Sequence, residues 1–303
     1  MKNIQMKKVL ITGANGLLGQ HLVTLLLEKN YVVIATGKGE QRLAQNESPL
    51  FTYYDIDVIE GFSLHEVLKH ETPDVVVHAA AMTQIDDCEL QPEQCERVNV
   101  QGTAQVLLDA EAFCKHFIYL STDFVFDGVK GNYNETDDCN PVSFYGFTKL
   151  QSESMVEMSE MPWTIVRTCL VYGNVVGGTR SNIVSWVKNS LTEGKKIKVV
   201  SDQVRTPTFV EDLARGIELI IDKTAEGFYH IAGKDVLTPY EMAIATAEHF
   251  GLNKELIEKV DASVFTQPAK RPPKTGLDIT KARTELGFEP IAFNDALGKL
   301  KIQ

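Results

Sequence analysis

A continuous apolar run, Val9-Leu10-Ile11, ends in Thr12-Gly13-Ala14-Asn15-Gly16-Leu17-Leu18-Gly19 and passes directly into a helical pattern from Leu17 to Glu28. A strand with no polar alternation needs cover on both faces, the condition met in a parallel sheet clothed by helices. The glycines restrict how strand and helix join. Gly13 lets the chain turn sharply, Gly16 lets its backbone approach a ligand, and Gly19 lets the helix pack close to the strand. Unpaired N–H groups and the positive dipole end of the helix then face whatever lies beyond the turn, which favours an anion. A lone glycine triplet also occurs in purely structural turns. In this strand–turn–helix context it predicts a dinucleotide pyrophosphate site formed by Gly13, Asn15, Gly16, Leu17, Leu18 and Gly19.

The same alternation recurs downstream. Apolar runs at Tyr31–Thr36, Phe51–Asp55, Asp74–Ala79, Phe117–Ser121 and Trp163–Arg167 are separated by helical spacings that include Phe62–His70, Glu93–Cys114 and 143–159. Strands alternating with helices predict an α/β fold, a doubly wound parallel sheet of Rossmann-like type, over residues 1–172. After Tyr172 the pattern becomes irregular. A loop is expected at Asn174–Thr179, a helix at Ile183–Thr192 and a strand at Ile197–Val200. A helix at Phe209–Asp222 and a strand at Gly227–Ile231 follow, then short helices at 238–251, 253–259 and 278–286. This predicts a smaller, irregular α/β substrate lobe over 173–303, interleaved with the first because residues 209–234 can return to the sheet.

Composition narrows the function. A chain of 303 residues with 44% hydrophobic and 23% charged residues is ordinary for a globular protein. Its net charge of −11 argues against nucleic acid or an anionic membrane as partner. Cys88, Cys95, Cys114, Cys139 and Cys169 contain no Cys-x-x-Cys pair, so reduced structural thiols are expected rather than disulfides or a zinc site. Met1–Lys8 is polar and the apolar run after it is too short for a signal or membrane segment. A cytoplasmic location is expected.

Further residues refine the cofactor. A dinucleotide site selective for NAD usually has an acid at the end of the second strand, to bind both ribose hydroxyls. Here the chain reads Ala35-Thr36-Gly37-Lys38-Gly39. With no carboxylate to repel a 2′-phosphate and Lys38 able to pair with it, NADP(H) is expected; a solvated Lys38 would leave NAD(H) open. Asp55 and Ile56 can flank the adenine, and Ala79, Ala80 and Ala81 are small enough for backbone to run beside a cofactor. His78 is either a base or a structural histidine, and its place after three valines favours the structural role.

Tyr145 and Lys149 are four apart, so on a helix they share one face. An ammonium beside a phenol favours the phenolate and brings its pKa toward a useful range. The spacing alone also fits an ordinary exposed helix. Ser121-Thr122-Asp123 ends the preceding strand, where ligands collect in open parallel sheets. A hydroxyl there can polarise a substrate carbonyl.

Taken in order, Gly13-x-x-Gly16-x-x-Gly19, Asp55-Ile56, His78-Ala-Ala-Ala81, Asn99-Val-Gln-Gly-Thr103, Ser121-Thr122-Asp123 and Tyr145-x-x-x-Lys149 resemble the extended short-chain dehydrogenase/reductases over nearly the whole chain. Ser121–Gly128, Asp202–Thr208 and Arg271–Asp278 resemble, within them, the dTDP-4-dehydrorhamnose reductase family. The resemblance implies an NADP(H)-dependent reductase of a 4-keto nucleotide sugar, most simply dTDP-4-dehydrorhamnose to dTDP-rhamnose. Tyr145 would be the general acid, Lys149 would lower its pKa and bind the nicotinamide ribose, and Thr122 would orient the carbonyl. Asn99 would support a proton-relay water. Thr83, Thr122, Asp123, Phe124, Leu170, Arg205, Thr208 and Arg271 would face the substrate. No metal is expected, and a homodimer is open.

Two departures bear on the sugar. Cys169-Leu170-Val171-Tyr172 stands where the family has Ser-Trp-Val-Tyr, so an aromatic platform is lost. Arg205 replaces a small residue and is able to clamp a diphosphate or to make a salt bridge. Two rivals remain. One is a nucleotide-sugar epimerase or dehydratase, disfavoured by Phe124 where a dehydratase has a second acid. The other is a non-catalytic regulatory subunit, as some relatives are for methionine adenosyltransferase.

Overall fold

A computed structural model describes residues 6–43, 47–174 and 181–300; the loop expected at 174–179 falls outside this set beyond Asn174. Six strands build most of a parallel sheet: β1 (Lys8–Thr12), β2 (Val32–Gly37), β3 (Phe51–Asp55), β4 (Val75–His78), β5 (His116–Thr122) and β6 (Trp163–Thr168). Three short strands follow, β7 (Val171–Tyr172), β8 (Ile197–Val200) and β9 (Thr208–Phe209). β10 (Gly227–His230) then returns to the main sheet beside β6. The seven-stranded order is β10-β6-β5-β4-β1-β2-β3. The order reverses between β1 and β4, and ligands bind beyond the carboxyl ends of strands at such a switch point.

The unbroken apolar strands now have a cause. Val9, Ile11, Val33, Ala35, Val75 and Val77 face a core shared with helices Leu17–Glu28 and Val210–Lys223. Leu10, Ile34 and Val76 face the opposite core, beneath helices Gly61–Glu71 and Gly102–Phe113. Period-two side chains therefore enter oil on both sides. Smaller cores pack Tyr172, Phe209 and Phe293, and Val187, Val199 and Ile257.

Several elements differ from expectation, among them the short helix expected at 278–286, which is a π turn over Ala282–Leu286. The helix predicted at 253–259 is one 3₁₀ turn, Lys254–Leu256, followed by β11 (Ile257–Val260). β11 pairs in parallel with β8, Ile257 opposite Ile197, so tertiary pairing overrides a short helical spacing. The long helix predicted at 93–114 contains a π turn, Arg97–Gln101, between α-helical segments Pro92–Glu96 and Gly102–Phe113. A helix at Ile85–Leu90 was not visible in the sequence pattern. All five cysteines are free, and no helix among the described residues is long and apolar enough to cross a membrane.

Candidate active site

The glycine turn after β1 is a fitted cradle. Gly13 has φ +72°, and a Cβ there would lie 2.8 Å from Ala80 N. Gly19 is packed against the turn, with Ala14 Cα 2.5 Å from where its Cβ would be. Gly16 N donates to Gly13 O at 2.9 Å, and the first bond of the helix proper is Gln20 N to Gly16 O at 3.1 Å. The N–H groups of Leu17 and Leu18 at the first turn thus have no intrahelical acceptor. This geometry suits a pyrophosphate. Asn15 closes the side of the cradle: its Nδ2 donates to Tyr53 Oη at 2.8 Å and its Oδ1 accepts from Arg42 N at 3.0 Å. Asp55 Oδ1 accepts from Gly39 N at 2.6 Å, and Ile56 is buried. The Lys38 side chain is 81% exposed and meets Asp57 at 2.9 Å.

Beside the cradle, buried His78 is structural. Thr12 Oγ1 accepts from the N–H groups of Ala79 and Ala80, both at 3.2 Å, so its own proton goes to His78 Nδ1 at 2.8 Å. His78 Nε2–H then meets Thr103 Oγ1 at 3.0 Å, and Thr103 donates to Asn99 O at 2.6 Å. This bonding assigns the neutral Nε2–H tautomer. Burial, helped by the Lys149 charge, pushes the histidine pKa down to about 3. The chain of bonds ends in the π turn. Asn99 Oδ1 accepts from Met82 N at 2.8 Å, while Nδ2 reaches Met82 O, Cys95 Sγ and Thr148 Oγ1 at 3.1, 3.3 and 3.2 Å. Asn99 therefore joins the Ala79–Met82 backbone to the helix bearing Tyr145.

That helix, Phe144–Glu157, starts at Ser143, whose Oγ accepts from Gly146 N at 3.2 Å. Gly146 admits no side chain, since Phe124 O would lie 2.2 Å from a Cβ. The close approach brings Tyr145 against the end of β5, beside Thr122 and edge-on to Phe124 with ring centres 6.1 Å apart. Thr122 Oγ1 donates to Asp123 Oδ1 at 3.1 Å and accepts from Phe124 N at 3.2 Å. Its proton is therefore engaged by Asp123.

Electrostatics differ from what the Tyr–Lys spacing alone predicts. Burial, more than any neighbouring charge, raises the Tyr145 pKa. Lys149 is itself buried, with Nζ 4.1 Å from the Tyr119 ring centre, and desolvation brings it down to about 7. Behind it Glu153, one helical turn on, opposes that fall but is held bidentately by buried Arg167 on β6 at 3.0 and 2.7 Å. The i+4 spacing of Glu153 from Lys149 was a readable signal that sequence reasoning passed over; Arg167 as its partner was not readable. Ser121 Oγ, buried at the same strand end, has no partner among the described residues.

The residues expected at the substrate divide. Arg205 is buried, and its Nη atoms donate to Val204 O, Pro273 O, Gln203 Oε1 and Pro272 O at 2.8–3.2 Å. Its Nε lies 4.0 Å from Asp123 Oδ2. The expected diphosphate clamp is corrected: Arg205 ties the Pro272–Pro273 backbone under the catalytic strand. Asp123 is likewise buried, accepting from Cys169 Sγ at 3.2 Å and from Thr275 Oγ1, with desolvation raising its pKa. Thr208, also expected at the substrate, is fully buried and donates to Cys169 O at 2.7 Å. Leu170, by contrast, is 37% exposed with φ +39°, a left-handed conformation unusual for leucine. Thr83 is exposed on the loop after β4. Arg271 is half-buried and paired with Asp86, whose role nothing in the sequence announced. Among the described residues, no cluster of three or more His, Cys, Asp or Glu is placed to hold a metal.

A family model described as the RmlD substrate binding domain matches residues 6–301. The chain belongs to that family. It is 32% identical to the spore coat polysaccharide biosynthesis protein SpsK of Bacillus subtilis, over 96% of each chain. It is 30% identical to the methionine adenosyltransferase 2 subunit beta of Rattus norvegicus, over 93% of this chain and 83% of that one. Among solved structures, the dTDP-4-dehydrorhamnose reductase of Bacillus anthracis in complex with NADP superposes with a TM-score of 0.84 at 25% identity, covering 98% and 99% of the two chains. Family membership, with Thr122, Tyr145 and Lys149 assembled at one strand end, identifies the chain as an oxidoreductase.

Proposed function

We propose that this protein reduces a 4-keto nucleotide sugar with NADP(H), dTDP-4-dehydrorhamnose to dTDP-rhamnose being the reaction favoured by the family. The observation that carries this reading is the gathering of buried Tyr145, Thr122 and Lys149 at the carboxyl end of β5, beside the switch point and its glycine cradle. When bound, the nicotinamide supplies the hydride. Gly13, Gly16 and the N–H groups of Leu17 and Leu18 would hold the pyrophosphate, Ala79–Ala81 would flank the cofactor, and Lys38 would meet a 2′-phosphate.

The protein side of the chemistry is a proton transfer. Tyr145, kept protonated by burial, is in the form needed to give its proton to a carbonyl oxygen as that oxygen gains charge. Asp123 fixes the Thr122 hydroxyl beside the phenol. Lys149, poised near neutrality, offsets the phenolate from one helical turn away. Thr83, Phe124 and Leu170 would border the sugar, and Arg271 would take the diphosphate. Residues 173–303 would form the sugar-nucleotide lobe, with 209–234 contributing to the first.

Purified protein should oxidise NADPH stoichiometrically with dTDP-4-keto-6-deoxymannose. Tyr145→Phe should lower kcat by about 10²–10⁴-fold, the usual share of a general acid. The likeness to the methionine adenosyltransferase subunit supports a second reading, cofactor binding without turnover. Tight NADPH binding with no oxidation across dTDP- and UDP-linked keto sugars would favour that reading and refute the first.

A further inference from the structure

The guanidinium of Arg271 meets the Asp86 carboxylate end-on. Nη1 donates to Oδ1 at 3.0 Å and Nη2 to Oδ2 at 2.7 Å. The other Nη1 hydrogen goes to Ala269 O at 3.0 Å, and Ala269 N donates back to Asp86 Oδ1 at 3.2 Å. A guanidinium has five N–H donors in a rigid plane. Three are placed by these contacts. The two left, Nε–H and the outer Nη2–H, lie along one edge and point the same way, and neither has an acceptor among the described residues. Two parallel N–H groups on one edge match two oxygens of a phosphate.

The pair also joins the lobes. Asp86 lies in the Ile85–Leu90 helix, directly after the loop that follows β4, and Arg271 lies in the proline-rich connector of the second lobe. Both side chains are partly open to water, at 36% and 18% exposure, so a ligand can reach them. We infer that Asp86 is a positioning residue for the substrate diphosphate: it grips the end of Arg271 and leaves the Nε–Nη2 edge aimed for the phosphate. This rests on the reading that Arg271 binds the nucleotide-sugar diphosphate. Asp86 is itself held by the Ala269 N–H, so it need not leave when an anion arrives. An arginine has many rotamers, and fixing it beforehand removes an entropic cost from binding.

The test is binding of dTDP to the full-length protein saturated with NADPH, followed by steady-state kinetics with the keto sugar. Asp86→Ala should weaken dTDP binding and raise KM about tenfold, with kcat nearly unchanged. Asp86→Asn, which can still accept from Arg271 and Ala269, should lie between. Affinity for NADPH should stay constant in both, which a general loss of structure would not allow. Arg271→Ala should weaken dTDP binding at least as much, and the double variant should add nothing further. Tighter dTDP binding in Asp86→Ala would show that Asp86 competes with the diphosphate, and would overturn the inference. So would unchanged binding in Asp86→Ala alongside weakened binding in Arg271→Ala. If Arg271→Ala itself binds dTDP normally, the diphosphate reading of Arg271 fails, and the inference falls with it.

Discussion

Lys149→Met should make the protein more stable at neutral pH while abolishing turnover. The Lys149 ammonium is buried, and folding lowers its pKa from 10.5 to about 7. Each unit corresponds to about 1.4 kcal/mol, so the folded protein carries a penalty on the order of 5 kcal/mol for keeping this group protonated. Methionine keeps an unbranched stem against Tyr119 and removes the charge. With relaxation and water entry discounted, the expected gain is about 2–4 kcal/mol. The pH window follows from the sign. Below about 7 both folded and unfolded Lys149 are protonated, and the penalty is fully present. Between about 7 and 10.5 the unfolded chain binds the extra proton, so wild-type stability rises with pH toward that of the variant. Urea unfolding of both proteins at several values between about pH 6 and pH 9.5 would measure this, the gap narrowing by up to about 1.4 kcal/mol per unit above neutrality. A variant less stable than wild type at pH 7, or a gap that does not move with pH, would refute the buried-ammonium argument.

Gly13→Ala places a Cβ 2.8 Å from Ala80 N on a residue with φ +72°, so it should cost about 1–3 kcal/mol in unfolding experiments and weaken NADPH binding measured by fluorescence. Lys38→Glu should cut the kinetic preference for NADPH over NADH by about tenfold or more, since the exposed lysine contributes little through its contact with Asp57 and is free to serve a 2′-phosphate. An unchanged preference would move cofactor selection elsewhere. Arg205→Met removes four donated bonds and leaves Asp123 buried without its cation. A loss of about 3–5 kcal/mol is expected in denaturant titrations, with partial recovery when Asp123→Asn is added.

Much of the fold was legible because the strands of a covered parallel sheet leave an unmistakable pattern. Val9-Leu10-Ile11 and Val75-Val76-Val77 alternate between two cores, so no position is left for a polar residue. The glycine turn was legible for a related reason: its steric demands at Gly13 and Gly19 admit few other residues. The π turn at Arg97–Gln101 was not. A π turn carries no residue-type signature of its own, and here it accompanies the Asn99 link between the β4 loop and the Tyr145 helix. Likewise β11 depends on β8, a partner some sixty residues away, which no local window contains. The tyrosine and lysine were found by spacing, but the direction of their pKa shifts depends on burial, which spacing does not report.

The arginines of the two Pro-flanked segments show most clearly where sequence reasoning stops. Arg205 and Arg271 both lie close to prolines and both invited assignment to a diphosphate. Burial separates them. At Arg205 four carbonyl-type oxygens engage the Nη groups, three of them from backbone, and the Nε end faces Asp123. An arginine so enclosed has no edge to offer a ligand. At Arg271 one carboxylate and one carbonyl take three donors and leave an edge clear. The distinction lies partly in acceptors the fold brings to hydrogen-bonding distance from afar, Pro272 and Pro273 for Arg205 and Asp86 for Arg271, 67, 68 and 185 positions away. Both carry the same charge and stand within two residues of a proline; only the folded chain decides which cation is enclosed and which keeps an open edge.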